Sequence, residues 1–224
     1  MDLPVNLPEK FYLLAYDPQR ERLTKHSTLN LLLQAAALTE LLRRGLLREE
    51  GRTAVPRARD TAASAGLDPY SARLLNQVRE KRPHSWSWWI GHARTGGRDQ
   101  PTRWVRDGLA AAGWVDVHRR RVAGVVPVTG VVPRDPKVRE ALAASVTAAL
   151  KSPLSRVDPA DAALTALVAA GALRSVLSSE LQGRYKSRIE KLAPAAGPVP
   201  RALGTALIGH KVGAVLEGAG AAAG

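Results

Sequence analysis

The strongest constraint on this chain is one long apolar segment, residues 26–47, which reads HSTLNLLLQAAALTELLRRGLL. Leucine and alanine recur in it at helical spacing and also occupy the remaining faces, which is typical of a helix enclosed on every side. The polar TELLRR part interrupts the segment well before the ~20 apolar residues that a membrane span needs. Ser27 or Thr28 can cap the start, and Gly45 stands where a left-handed residue would end the helix. The segment therefore predicts a buried central helix.

The composition limits the chemistry and the partners of the chain. No cysteine is present among the 224 residues, which excludes disulfides, thiolate metal sites and cysteine nucleophiles. The net charge is +13 and the isoelectric point is near 10.8. Such an excess attracts polyanions, whether nucleic acid or an anionic lipid surface, although a solvated arginine-rich surface would give the same numbers. The N-terminal residues lack a basic-then-apolar pattern, so we expect no secretory signal.

The order of local patterns predicts a mostly helical chain. The segment EKFYLLAYD near the start is a short helix or a strand, since periodicity does not separate the two at this length. Asp-Pro pairs at Asp68, Asp135 and Asp158 are predicted to begin three further helices. The remaining predictions are a strand at residues 53–55, a linker at 194–200 and a last apolar helix at 202–216.

Three tryptophans stand close together in the sequence SWSWWIGHA. Trp86, Trp89 and Ile90 share one helical face, so we expect them to close the core. The alternative is an aromatic platform for a ligand or for a membrane interface.

A change of period predicts a β-hairpin in the middle of the chain. A helix at residues 102–112 comes first, and the following WVDVHRRRVAGVVPVTGVV alternates apolar and polar residues. We expect the chain to turn near residues 119–121, so that the hairpin has a basic tip. The inward side chains predicted for the preceding helix are Trp104, Val105, Leu109 and Ala112.

Catalytic motifs are missing from the sequence. The five histidines are scattered without an HExxH pair, and no GxSxG elbow occurs. The segment GTALIGHK at residues 204–211 departs from a phosphate-binding loop, because His210 intrudes and no serine or threonine follows the lysine. An all-α enzyme of terpenoid type would need an acidic metal motif, and the sequence has none. We therefore expect a protein that is not an enzyme and that uses no metal or cofactor.

Taken in order, the pieces of the chain resemble the Golgi phosphoprotein 3 family. They are, in order, LPEKFYLLAYD, AALTELLRRGLL, WWIG before RWVRDGL, AAGWV before the hairpin, and VREALAASVTAAL. The second piece looks like the family's ELALRGRL signature. The likeness runs from residue 7 to about residue 216. It implies a mainly α fold, a single compact helical domain around a buried central helix with one protruding β-hairpin. The domain would span residues 1–217, and residues 218–224 would form a disordered Ala/Gly tail.

The resemblance implies a protein that docks peripherally on membranes. Family members bind phosphatidylinositol 4-phosphate and bring client enzymes, notably glycosyltransferases, to Golgi membranes. Their lipid pocket uses a Trp and an Arg around the start of the central helix and two Arg spaced R-x-x-R before the hairpin. Arg103 and Arg106 match the second pair, whereas the first two positions fall on Lys25 and Gln34. Lys25 still offers a cation, so the implied headgroup-binding residues are Arg103, Arg106 and Lys25.

The hairpin is the membrane contact that the resemblance implies. In the family its large apolar residues enter the bilayer, and the corresponding residues here are more basic and less bulky. They are Arg119, Arg120, Arg121, Val122, Val125 and Val126. Each arginine can add ~1 kcal/mol of attraction to an anionic surface, while the valines insert only shallowly. We therefore expect weak, salt-sensitive docking.

Two hypotheses for the function follow. The first is a peripheral membrane-binding protein that recognises phosphatidylinositol 4-phosphate or a bacterial anionic lipid. It would be cytoplasmic, on the inner face of a membrane, with a client protein as a further partner. The alternative is a winged-helix-like nucleic-acid-binding protein with the hairpin as its wing. Against this alternative, Trp104, Val105 and Leu109 stand where polar base-reading residues would be needed. Formation of a homo-oligomer is left open.

Overall fold

Most of the chain is α-helical, as the predicted fold class requires. The computed structural model describes residues 2–24, 27–57, 61–93, 99–122 and 126–221, with the backbone alone at 61, 119–122, 126–128 and 214–221. Within these residues the helices are α1 (Leu7–Leu14), α2 (Leu29–Arg43), α3 (Thr61–Ser64), α4 (Pro69–Glu80), α5 (Trp86–Gly91), α6 (Pro101–Ala111), α7 (Pro136–Lys151), α8 (Pro159–Ala170), α9 (Ser179–Arg184), α10 (Lys186–Leu192) and α11 (Val199–Ala221). The strands are β1 (Tyr16–Asp17), β2 (Arg22–Leu23), β3 (Leu47–Glu50), β4 (Thr53–Pro56), β5 (His84–Ser85), β6 (Val115–Val122) and β7 (Val126–Pro133).

Helix α2 is the centre of the hydrophobic core. Every residue from 29 to 41 is buried, because α1, α4, α5, α6, α8 and α11 all pack against this helix. Burial of each leucine side chain contributes about 1.5–3 kcal/mol of hydrophobic stabilisation. Gly45 has a φ of +70° directly after the helix, and the N–H of Leu46 donates to the carbonyl of Leu41 at 2.9 Å. The predicted buried helix and its left-handed end are both confirmed.

One buried carboxylate joins α2 to α1. Glu40 is 4% exposed, and its side chain accepts hydrogen bonds from the backbone N–H of Leu7 at 3.2 Å and from Nε of Arg44 at 2.6 Å. The Arg44 guanidinium also donates to Oδ1 of Asn6 and to the carbonyl of Ala65, both at 2.8 Å. Because Glu40 and Arg44 lie one turn apart on the same element, this network fixes the start of α1 against the end of α2.

The Asp-Pro pairs begin helices as predicted. The side chain of Asp68 accepts from the backbone N–H groups of Tyr70 and Ser71 at 3.0 Å each. Asp135 and Asp158 cap α7 and α8 in the same way, accepting from the residue after each proline at 2.9 and 2.6 Å. Proline has no N–H and its φ is already helical, so it suits the first position after such a cap.

The predicted inward faces are confirmed with one exception. Val105 and Leu109 of α6 are buried and Trp104 is half-buried, but Ala112 is exposed, since the helix ends at Ala111 and the chain turns outward there. The face of α7 formed by Val138, Leu142, Val146 and Leu150 is buried as well. Trp86, Trp89 and Ile90 are buried, which confirms that they close the core.

The predicted hairpin is confirmed, but the turn predicted near residues 119–121 is wrong. Strands β6 and β7 pair antiparallel from Val115 opposite Pro133 to Val122 opposite Val126. Residues 119–121 are therefore within β6 and do not form the tip. Three consecutive arginines carry no turn preference and suit an exposed strand, whereas glycine does favour turns. The only glycine of the RRRVAGVV segment is Gly124, which lies outside the described residues.

One prediction for the C-terminal region is corrected. The strand predicted at residues 53–55 lies within β4. The predicted linker at 194–200 contains a 3₁₀ turn, Ala193–Ala196, and the start of α11. Pro194 and Pro200 were interpreted as linker residues, but proline also occurs in the first turn of helices. Helix α11 extends to Ala221, so residues 218–221 of the predicted tail continue this helix.

Gly197 is a position where an added methyl group should be strongly destabilising. Its φ of +59° and ψ of −140° are accessible almost only to glycine, and an added Cβ would lie 2.5 Å from Cδ2 of Leu42 on α2. We expect Gly197→Ala to lower the free energy of unfolding by about 2 kcal/mol in urea denaturation.

Gly45→Ala is the matched control for this prediction. Gly45 also has a positive φ, but no described atom would lie within 4 Å of a methyl group added there. Only backbone strain should therefore act, and it should lower the free energy of unfolding by about 1 kcal/mol. Equal losses in the two variants would contradict the close packing of Gly197 against Leu42.

Candidate functional site

A polar cavity of about 440 Å³ lies where α1, α2 and α6 meet the hairpin. We call it the arginine pocket. The residues that line it are Tyr12, Leu23, Leu29, Asn30, Gln100, Thr102, Arg103, Arg106, Thr129 and Val131. The cavity is therefore lined by five elements, α1, β2, α2, α6 and β7, together with Gln100 just before α6.

Two arginines of α6 supply the positive charge of the arginine pocket. Arg103 and Arg106 are three residues apart, so they lie on the same side of the helix, one turn apart. The side chain of Arg103 is 47% exposed and that of Arg106 is 20% exposed. Both guanidinium groups can thus be reached from solvent, while Arg106 lies deeper. Such a pair suits a phosphate group, because each planar guanidinium can donate two parallel hydrogen bonds to it.

A buried amide on α2 fixes the start of α6 beside the pocket. Oδ1 of Asn30 accepts hydrogen bonds from the backbone N–H of Thr102 at 3.1 Å and from its hydroxyl at 2.9 Å. Asn30 is 8% exposed and belongs to the rigid central helix. This contact therefore sets where Arg103 and Arg106 stand relative to α1 and α2.

Asp107 reduces the positive charge that the two arginines present. Its Oδ1 accepts from Nε and Nη2 of Arg106 at 2.8 and 2.6 Å, and its Oδ2 lies 3.9 Å from Nε of Arg103. The carboxylate thus bridges both guanidinium groups. The Asp107 side chain is 55% exposed and does not line the cavity, so it meets the arginines from outside the arginine pocket.

Tyr12 closes the inner end of the arginine pocket as a neutral phenol. It is 1% exposed, and burial raises the pKa of its hydroxyl. The positive charge of Arg106 lowers this pKa and the negative charge of Asp107 raises it, both to a smaller extent than burial. Tyr12 therefore keeps its proton at neutral pH and adds no negative charge next to Arg106.

A family model of Golgi phosphoprotein 3 (GPP34) matches residues 7–207, which is most of the chain and includes every residue of the arginine pocket. The chain belongs to the Golgi phosphoprotein 3 family. The resemblance that the sequence pieces suggested is thereby confirmed. Among curated proteins, no relative matches the chain.

The resemblance aligns Lys25 and Gln34 with the other two positions of the family's lipid pocket. Lys25 lies outside the described residues, although Leu23 and Leu29 on either side of it line the arginine pocket. Gln34 is elsewhere in the core. Its amide donates to the carbonyl of Trp89 at 3.1 Å and accepts from the hydroxyl of Tyr70, so it does not reach the arginine pocket.

The hairpin residues are described only in part. Thr129 and Val131 of β7 line the arginine pocket, and Arg119 lies opposite Thr129 in the strand register. Arg120, Arg121 and Val122 continue β6, and Val126 begins β7, but the side chains of these residues and of Arg119 are not described. Val125 lies outside the described residues. The first arginine of this group is thus at the level of the pocket along the hairpin.

Sequence reasoning missed the uncharged polar residues of the arginine pocket, which are Tyr12, Asn30, Gln100, Thr102 and Thr129. One signal for them was present. Asn30 is polar inside a helix that is otherwise apolar on every face, and a buried amide almost always has a hydrogen-bond partner. The sequence offered no means of naming Thr102 as that partner.

The helices also bear on how the protein can meet a bilayer. Among the described helices, none combines the length and the hydropathy that crossing a bilayer would require.

Proposed function

We propose that this protein is a peripheral membrane-binding protein that recognises a phosphorylated, anionic lipid headgroup in the arginine pocket. The observation that carries the proposal is the convergence of Arg103 and Arg106 on one polar cavity in a member of the Golgi phosphoprotein 3 family. The cavity volume of about 440 Å³ suits a group the size of a phosphorylated sugar or inositol.

The chemistry of the cavity divides into two parts. Arg103 and Arg106 bind the phosphate through charge-assisted hydrogen bonds, which are about twice as strong as hydrogen bonds between neutral groups. Thr102, Thr129 and Gln100 supply hydroxyl and amide groups for the hydroxyls of the headgroup. A phosphoinositide headgroup such as that of phosphatidylinositol 4-phosphate carries both kinds of group, and it is the ligand that we propose. A bacterial anionic lipid with a phosphorylated headgroup offers the same chemistry.

The rest of the molecule contributes a weaker, non-specific attraction. The net charge of +13 draws the protein toward any anionic membrane, and the basic β6 strand follows directly after α6 in the chain. We place Lys25 and the hairpin residues 119–122, 125 and 126 in the contact with the membrane. Attraction of exposed charges is screened over about 8 Å at physiological salt, so this docking weakens as salt rises.

In this proposal the protein acts by binding rather than by catalysis. It works at the cytoplasmic face of a membrane and brings a client protein to that surface. The nucleic-acid alternative receives less support, because Val105 and Leu109 of α6 pack into the core and Arg103 and Arg106 line a cavity instead of an open helix face. A recognition helix needs polar side chains free to enter the major groove.

Vesicle flotation tests the proposal. The probes are vesicles of phosphatidylcholine alone, with phosphatidylglycerol, and with phosphatidylinositol 4-phosphate, each at low and at physiological salt. We expect the phosphoinositide vesicles to bind most, phosphatidylglycerol vesicles less, and both to release protein as salt increases.

Two results would contradict the proposed function. One is the absence of any preference for acidic vesicles at low salt. The other is tighter binding to duplex DNA than to the phosphoinositide vesicles in a mobility-shift assay, with a steep dependence on salt.

A further inference from the structure

We infer that Asp107 is a built-in competitor of the anionic headgroup and sets the affinity of the arginine pocket. The inference rests on the proposed function, and it concerns a residue that does not itself line the cavity. Its basis is the geometry of one carboxylate against two arginines.

The carboxylate of Asp107 occupies the donors that a phosphate would use first. A guanidinium binds planar oxyanions best through the parallel Nε–H and Nη–H groups of one edge. In Arg106 this edge is engaged, since Nε and Nη2 both donate to Oδ1 of Asp107. A phosphate must therefore displace Asp107 or accept the remaining edge of the guanidinium.

Asp107 also lies where its charge affects both arginines. Its second oxygen is 3.9 Å from Nε of Arg103, so one carboxylate bridges the same two groups that a bound phosphate would bridge. The two guanidinium groups and this carboxylate together carry one net positive charge. A negatively charged headgroup is in addition repelled by the like charge of Asp107.

The exposure of the group supports competition over a structural role. Asp107 is 55% exposed and lies in the middle of α6, and its ion-pair partners within the part of the chain that the structure describes are the two arginines. An exposed ion pair of this kind contributes little to the stability of the fold. The pair therefore costs little to open when a stronger anion arrives.

The test compares Asp107→Asn with the unaltered protein on phosphatidylcholine vesicles that contain phosphatidylinositol 4-phosphate. Asparagine keeps the size of the side chain and removes the charge. We expect about fivefold tighter binding, because one competing and repelling charge is lost. The control is Glu180→Gln, which removes the carboxylate of a separate ion pair on α9, where Glu180 lies 3.3 Å from Arg184. This variant should leave binding unchanged.

A second pair of variants separates this inference from the proposed function. The gain from Asp107→Asn should vanish when Arg103 and Arg106 are both glutamine, because Asp107 acts through them. If Asp107→Asn binds no better than the unaltered protein while the double arginine variant loses binding, the inference fails and the proposed function stands. An equal gain in both backgrounds also overturns the inference. If the double arginine variant binds normally, the arginine pocket is not the site and both fail.

Discussion

Replacing Arg103 and Arg106 together by glutamine is expected to weaken binding to phosphatidylinositol 4-phosphate vesicles about a hundredfold. Each guanidinium contributes about 1–2 kcal/mol through charge-assisted hydrogen bonds to a phosphate, after allowance for solvent. Two such losses correspond to about two factors of ten in affinity. The fold should survive, since both side chains lie on the outer part of α6 while Val105 and Leu109 hold that helix in the core. Vesicle titration with an unchanged thermal midpoint is the measurement.

The control for this prediction removes the same amount of charge elsewhere. Arg174 and Arg201 are both exposed, and neither lines the arginine pocket. The Arg174→Gln/Arg201→Gln protein loses two positive charges, as the pocket variant does, so the two proteins have the same net charge. It should lose only the general attraction to acidic vesicles, which is about threefold or less. Similar losses in the two double variants would mean that net charge, and not the arginine pocket, determines binding.

The second large effect is expected from Glu40→Ala, which should lower the free energy of unfolding by about 3 kcal/mol. The substitution leaves the N–H of Leu7 and Nε of Arg44 without their acceptor in a part of the core where Glu40 is 4% exposed. One effect acts in the opposite direction. Burial is the main cause that raises the pKa values of Glu9 and Asp68, and the charge of Glu40 raises them further. Loss of that charge relieves some repulsion but does not replace the two hydrogen bonds.

Urea denaturation of Glu40→Ala and Glu140→Ala checks this prediction. Glu140 is an exposed residue of α7, so its replacement should change the free energy of unfolding by less than about 0.5 kcal/mol. Glu40→Gln keeps an acceptor without the charge and should fall between the two. If Glu40→Ala is as stable as the Glu140 variant, the network between α1 and α2 does not stabilise the fold as described.

Local patterns predicted the helices well because each depends on residues close together in the sequence. The apolar run of α2 can be satisfied only by burial on all sides, and each Asp-Pro pair supplies both a cap and a fixed φ within two residues. The errors arose where one residue type serves two purposes. Proline was taken for a linker at 194–200 although it also begins helices, and arginine at 119–121 was taken for a turn although it also suits an exposed strand.

The sequence by itself determined the buried central helix, the starts of the later helices, the hairpin and the shared face of Arg103 and Arg106. Each of these follows from spacing within one element. Only the tertiary structure decided that Asn30 anchors Thr102, 72 residues away, that Tyr12 closes the arginine pocket beside Arg106, and that Gln34 lies elsewhere in the core. These contacts join separate elements, and they depend on how the whole set of helices packs around α2, which no local pattern of residues specifies.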